Sequence, residues 1–313
     1  MIATMIKQLL HYFVTGFSMG AADIVPGVSG GTIAFIFGIY ERLLVTIKDM
    51  SSTVPKLLLK GKIKEAWAAI PFSFLMPIGL GVLTAIAALS SLLEYLFEAY
   101  PVFIWSFFFG LVVASVVVVS KRVTNWNTQA VLSLVAAALA AYLLVGAVPV
   151  QTPATLLAFF LAGAVAICAM ILPGVSGAFL LLIMGKYEQV LSAVTNREIL
   201  VLAAVGLGAV LGLALFSRLL SWLFAHHENT VVAVLTGFML GSLRKLWPWK
   251  EALVTRINSH GVEVPVTEAN LLPHGTPVEL FAALALALTA IGLVILLDKK
   301  NVIKEEDAIP AEK

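Results

Sequence analysis

Residues 26–32 read Pro-Gly-Val-Ser-Gly-Gly-Thr, and residues 173–178 read Pro-Gly-Val-Ser-Gly-Ala. Each follows an apolar run and breaks it, the second beginning 147 positions after the first. Proline lacks an N–H and fixes φ, so it disrupts a helix interior but suits a first turn. The neighbouring glycines admit backbone conformations and close approaches barred to other residues. One such break reads as a kink. Two breaks with the same five-residue core ask for a common purpose, and their surroundings decide the fold.

Those surroundings are apolar. Of 313 residues, 60% are hydrophobic and 12% charged, against about 25% charged in soluble domains. The composition is that of an all-α polytopic membrane protein. A net charge of +2, with its basic residues in loops, gives no footing for nucleic acid. Cys168 is the lone cysteine, which excludes an intramolecular disulfide and a cysteine metal cluster. His11, His226, His227, His260 and His274 lack metal-ligand spacing, and the adjacent pair reads as solvated. No metal site and no catalytic set is expected. The N-terminus, with Lys7, an apolar run and the small residues 20–22, superficially resembles a signal peptide. The same pattern recurs internally at 159–178, so the segment is expected to be retained.

Apolar runs at about 71–97, 102–120, 128–148, 199–224, 230–246 and 278–297 approach the ~20 residues that cross a bilayer, giving six spanning helices. The run 9–22 is shorter, about 21 Å as helix, and does not reach across ~30 Å of hydrocarbon. Regions 9–45 and 155–191 therefore read as re-entrant hairpins turning at Pro26–Gly27 and Pro173–Gly174. With the N-terminus inside, the lysines of the 46–70 loop fall inside, as do Lys121, Arg122 and Lys299–Lys300. The 244–277 loop is the exception: it falls outside yet holds Arg244, Lys245, Lys250 and Arg256. The balance places both termini in the cytoplasm. Residues 52–67 read as an amphipathic helix on the inner leaflet or as a solvated loop.

The two breaks belong to a longer match. At the same offset Ile36, Gly38, Tyr40, Glu41 and Leu44 recur as Ile183, Gly185, Tyr187, Glu188 and Leu191. Downstream the offset falls to 127, pairing Gly79-Leu80-Gly81 with Gly206-Leu207-Gly208 and Gly110 with Gly237. The chain thus reads as a tandem duplication, 1–149 and 150–313, each unit a hairpin plus three spanning helices. Three is odd, so the second unit is expected upside down relative to the first. Inverted repeats with interrupted helices place a transporter's substrate site where the breaks meet.

At each tip a helix N-terminus offers free N–H groups, positive dipole character and a serine hydroxyl, which suits an anion such as phosphate. The candidate phosphate-binding residues are Pro26, Gly27, Val28, Ser29, Gly30, Gly31 and Thr32 with Pro173, Gly174, Val175, Ser176 and Gly177. Asp23 has Met170 in its place in the second copy; it would repel phosphate, so it binds a coupling ion or proton, or caps the broken helix. Tyr40, Glu41, Tyr187 and Glu188 are candidates for gating or for interfacial anchoring. Arg42, Lys186 and Arg218 are candidate cationic partners.

Residues 22–32, Ala-Asp-Ile-Val-Pro-Gly-Val-Ser-Gly-Gly-Thr, resemble the signature of a bacterial family long classed as a domain of unknown function, and residues 172–177 resemble its second-half motif. Members are assigned as undecaprenyl-phosphate translocases of the PopT type, and the resemblance spans essentially the whole chain. It implies a polyprenyl-phosphate substrate, a place among membrane lipids in the bacterial cytoplasmic membrane, and recycling of the carrier lipid for cell-wall synthesis. No cofactor is implied; coupling to protons or sodium is open, as is the oligomeric state. Two other readings remain. Undecaprenyl-pyrophosphate phosphatases also pair re-entrant repeats, with a PGxSRSxxT motif, but here Gly30 stands where their arginine stabilises the transition-state charge. A transporter of a small soluble anion would use the same tips.

Overall fold

The computed structural model describes residues 2–25, 27–147, 150, 152–257 and 263–308. From the N-terminus, α1 (Ile2–Asp23) leads to a short α2 (Gly30–Ile36), then α3 (Tyr40–Leu59) and α4 (Ile63–Ala68). The long helices α5 (Phe72–Ala99), α6 (Pro101–Ser120) and α7 (Thr128–Val145) follow. A second set begins with α8 (Leu156–Ile171), α9 (Gly177–Ile183) and α10 (Tyr187–Thr195) and continues into α11 (Ile199–Leu246). The hairpin β1 (Lys250–Ile257) and β2 (Glu263–Asn270) precedes the last helix, α12 (Pro277–Ala308).

Among the described residues, α5, α6, α7, α11 and α12 are long and apolar enough to cross a membrane, which makes this a multi-pass membrane protein. At 48 residues α11 would measure about 72 Å, more than twice a hydrocarbon core. It breaks at His227 (φ −141°, ψ 42°), between the two apolar runs read from the sequence.

The hairpin arms differ from expectation in two ways. First, α1 starts at Ile2 and takes in Lys7 and Gln8, so the helix runs to 22 residues (about 33 Å), longer than its apolar run, yet it is not among the helices both long and apolar enough to cross. Second, the outgoing arms stop after seven residues rather than running to Leu44 and Leu191. The chain bends by 116° between α2 and α3 and by 104° between α9 and α10. Gly38 (φ +72°) and Gly185 (φ +65°) sit at these bends, in a conformation that a Cβ penalises. The helix expected over 52–67 is split by a turn at Lys60–Gly61, leaving Leu59, Ile63 and Trp67 exposed. The plain loop expected at 244–277 contains an antiparallel hairpin, with Lys250 opposite Asn270 and Ala252 opposite Glu268. Val254, Thr255, Val264, Val266 and Thr267 supply the β-branched composition that favours such strands.

Glycines set the helix seams. A Cβ on Gly16 of α1 would strike the carbonyl of Ile78 in α5, and one on Gly163 of α8 would strike that of Val205 in α11. Likewise Gly110 of α6 lies against Ala287 in α12, and Gly237 of α11 against Leu134 in α7. Small residues let helix backbones approach where lipid offers no hydrophobic drive for association.

Candidate functional site

The two tips are built alike. Ser29 is the N-cap of α2, its hydroxyl accepting the Gly31 N–H at 3.1 Å; Ser176 is the N-cap of α9, accepting the Phe179 N–H at 3.4 Å. Gly27 (φ +89°) and Gly174 (φ +83°) make the turns into them. Pro26 lies outside the described residues; Pro173, Val28 and Val175 are buried at the tips. The copies differ at Asp23, whose carboxylate accepts the Gly30 N–H at 2.6 Å and so occupies the start of α2. Of the two roles open to Asp23, the capping one is present in the geometry.

The structure brings the tips into contact. Ser29 Oγ donates to the Met170 carbonyl at 3.3 Å, at the position equivalent to Asp23. The Gly174 N–H donates to Thr32 Oγ1 at 3.2 Å, a fully buried bond from one tip to the other. Gly31 lies against the Ile171 carbonyl, 2.7 Å from where its Cβ would be. Thr32→Val is therefore expected to leave the Gly174 N–H buried and unpaired, costing about 1–3 kcal/mol. Thermal unfolding in detergent should show this loss, with Thr32→Ser close to the parent; an unchanged midpoint for the valine variant would mean that the bond does not hold the tips together.

Beside the meeting point lies a cavity of about 400 Å³. Asp23 and Ile24 face it from the first tip, and Ser176 and Phe179 from the second, with Trp105, Tyr187, Lys245 and Glu268 completing the polar and aromatic wall. Ser29 and Thr32 are buried and hydrogen-bonded within the tips instead. A Cβ on Gly30 would lie 2.5 Å from an Asp23 carboxylate oxygen, so a side chain there would have to push the carboxylate off the start of α2.

A cation that the motifs did not single out, Lys245, lies against the first tip, with a second, Lys250, beside its partner Glu268. Lys245, in the last turn of α11, runs its stem across Gly27 (3.0 Å from the Gly27 Cβ position to Cγ) and holds its Nζ 2.5 Å from Glu268. Lys250 of β1 has its Nζ 3.7 Å from the same carboxylate oxygen and 3.6 Å from the Trp105 ring centre. Burial pushes the Lys250 ammonium down to about 8, against the opposing pull of Glu268. Burial raises Glu268, but the two lysine charges outweigh it and hold the carboxyl below its ordinary range. The excess of positive charge in 244–256, which the orientation rule leaves unexplained, is the sequence feature that could have drawn attention here.

The other candidates lie elsewhere. Arg42 donates to the Tyr12 hydroxyl and stacks on Phe74 at 4.3 Å. Lys186 is buried, its Nζ donating to the carbonyls of Thr152 (3.1 Å) and Pro153 (2.8 Å) and to Gln189 (2.9 Å). Arg218 donates to the Ser51 carbonyl at 3.2 Å and ties α11 to α3. Tyr40 is buried between Phe35 and Phe224, whereas Tyr187 reaches the cavity. Glu41 and Glu188 are exposed in the first turns of α3 and α10.

Paired broken helices meet at a cavity with charged groups in its wall, within a bundle of apolar helices, as in a multi-pass membrane protein. The chain belongs to the VCA0040-like family, described as undecaprenyl phosphate translocase-like, which it matches over residues 19–264. It is 41% identical to a polyprenyl-phosphate transporter of Vibrio cholerae over 296 residues, 93% of this chain and 96% of that protein. It is 32% identical to a polyprenyl-phosphate transporter of Staphylococcus aureus over 252 residues, 74% of this chain and 84% of that one. No solved structure gives a significant match.

Proposed function

We propose that this chain, like the relatives named above, transports a polyprenyl phosphate. In this reading it moves undecaprenyl phosphate across the cytoplasmic membrane for reuse of the carrier in cell-envelope synthesis. The observation that carries the reading is the pairing of two cavities around one turn of chain. One cavity carries Asp23, Ser176, Lys245 and Glu268 in a largely apolar wall, while a second of about 280 Å³, lined by Ala21 and Ala22 together with residues of α2, α5, α6 and α12, is almost wholly apolar. A phosphate with a prenyl tail needs a polar and an apolar compartment side by side; a small soluble anion needs the first alone. The phosphate sits between the Pro-Gly-Val-Ser-Gly tips, with Ser176 turned toward it and Ser29 and Thr32 holding the tips together. Asp23 couples movement to protons or sodium.

The units 1–149 and 150–313 are inverted repeats, each opening with a re-entrant hairpin. Paired contacts support this: Gly16 against α5 answers Gly163 against α11 at the offset of 147, and Gly110 against α12 answers Gly237 against α7 at 127. Both termini lie in the cytoplasm, with the lysines of α3 and α4 on the inner leaflet. A phosphatase-like reaction is disfavoured because Gly30 stands where those enzymes carry the arginine that stabilises transition-state charge.

Reconstitution in liposomes tests the reading. Undecaprenyl phosphate placed in one leaflet should become accessible in the other, and undecaprenyl pyrophosphate should release no phosphate above background. A cysteine at Lys60, with Cys168 removed, should label from the cytoplasmic side only. Sustained phosphate release would reassign the chain to the phosphatases, and periplasmic labelling at position 60 would reverse the orientation.

A further inference from the structure

We propose that Lys245 and Lys250 are the receptor for the phosphate group, and that the Glu268 carboxylate occupies this receptor in the unliganded protein as a tethered competitor which the phosphate displaces. The proposal rests on the transport reading for the identity of the ligand, and on the geometry for the site.

Three separate elements supply the cluster: Lys245 the end of α11, Lys250 strand β1 and Glu268 strand β2. Both ammonium groups face one carboxylate oxygen, at 2.5 and 3.7 Å. One negative charge thus serves two positive ones. Lys250 shows the deficit: its side chain is only 8% exposed, yet among the described residues its Nζ has the ion pair with Glu268 at 3.7 Å and no hydrogen-bond partner. It rests on the face of Trp105, a contact that steadies a cation but takes up none of its three donors. A ligand oxygen within hydrogen-bond distance would supply the acceptor that this buried donor lacks.

A phosphate group supplies what a carboxylate lacks. It carries up to two charges and three terminal oxygens, enough to engage Lys245, Lys250 and the Ser176 hydroxyl together. The cavity wall already includes Lys245, Glu268, Trp105 and Ser176, so an entering anion meets the cluster directly. The stem of Lys245 lies across Gly27 and its ammonium stands 5.9 Å from the Phe179 ring, which puts the receptor where the first and second tips converge. Asp23 fills the anion position at the start of α2, and Glu268 fills the one between the lysines. Of the two, only Glu268 is carried by a strand, so its displacement would not uncap a helix.

The test is phosphate binding to purified protein in detergent, with inorganic phosphate and farnesyl phosphate as probes. Glu268→Gln keeps the size and the acceptor oxygen but removes the competing charge. It should tighten binding of both probes about tenfold, whereas Lys245→Gln and Lys250→Met should each weaken it at least tenfold. Should Glu268→Gln fold poorly, Glu268→Asp, too short to face both lysines, should tighten binding by a smaller factor. Unchanged or weaker binding in the Glu268 variants, or unchanged binding in both lysine variants, would overturn the receptor. The probes separate the source of the phosphate: much tighter binding of farnesyl phosphate identifies a lipid headgroup. Equal binding identifies soluble phosphate, and would sink the lipid reading while leaving the receptor standing.

Discussion

Replacing Gly174 by valine is expected to remove transport and most of the folded protein with it. The residue sits at φ +83°, a region that penalises a residue with a Cβ by roughly 1–2 kcal/mol. A Cβ there would lie 2.7 Å from the Met239 Cα and 2.9 Å from its nitrogen, so the obstacle is the backbone of α11 rather than a movable side chain. Overpacking of this kind adds about 1–3 kcal/mol, and valine brings two further methyl groups. Gly27, its counterpart at φ +89°, faces instead the flexible stem of Lys245. Gly27→Ala should therefore keep more of its fold while displacing Lys245 and losing phosphate affinity. Thermal unfolding and liposome transport, measured on both variants, check the contrast. A Gly174→Val protein that melts and transports like the parent would show that this tip is not seated on α11.

The second large effect is expected at Asp23. Its carboxylate holds the Gly30 N–H at 2.6 Å, a charge-assisted bond worth about 1.5–3 kcal/mol. Asp23→Ala removes both acceptor and charge, and should lower the unfolding midpoint and abolish transport. Asp23→Asn keeps an acceptor oxygen, so it should fold and bind phosphate while its transport loses the response to an imposed proton or sodium gradient. A normal gradient response in Asp23→Asn would reduce Asp23 to a cap and move the coupling elsewhere.

Much of the architecture was legible because the bilayer imposes a length that apolar runs must meet. The long helices fall where the runs do, even across the break at His227. The tips were legible because proline beside glycine has few uses inside a hydrophobic run. The shape of the outgoing arms was not: Gly38 and Gly185 stood in the repeat, but nothing local marks a repeated glycine as a sharp bend. Nor was the cationic wall. Lys245, Lys250 and Glu268 converge only through the pairing of β1 with β2, which sets Lys250 and Glu268 diagonally on one face. Arg42, Lys186 and Arg218 were equally plausible by composition, and each is committed to carbonyl, hydroxyl or aromatic partners.

The glycine seams bear on how such a molecule moves. The last helix of each half, α7 and α12, packs against a helix of the other half, α11 and α6, at contacts where only a hydrogen fits between backbones. The halves are clasped, as two hands with interlaced fingers. A rocking of one rigid half against the other would have to open both clasps at once, forfeiting close backbone packing with nothing but lipid to replace it. In the proposed transport, the segments left to move would be smaller: the seven-residue helices α2 and α9, bounded by Gly38 and Gly185, and the Glu268 carboxylate. On the proposed function, carriage of a headgroup would then be a matter of short strokes inside a fixed frame.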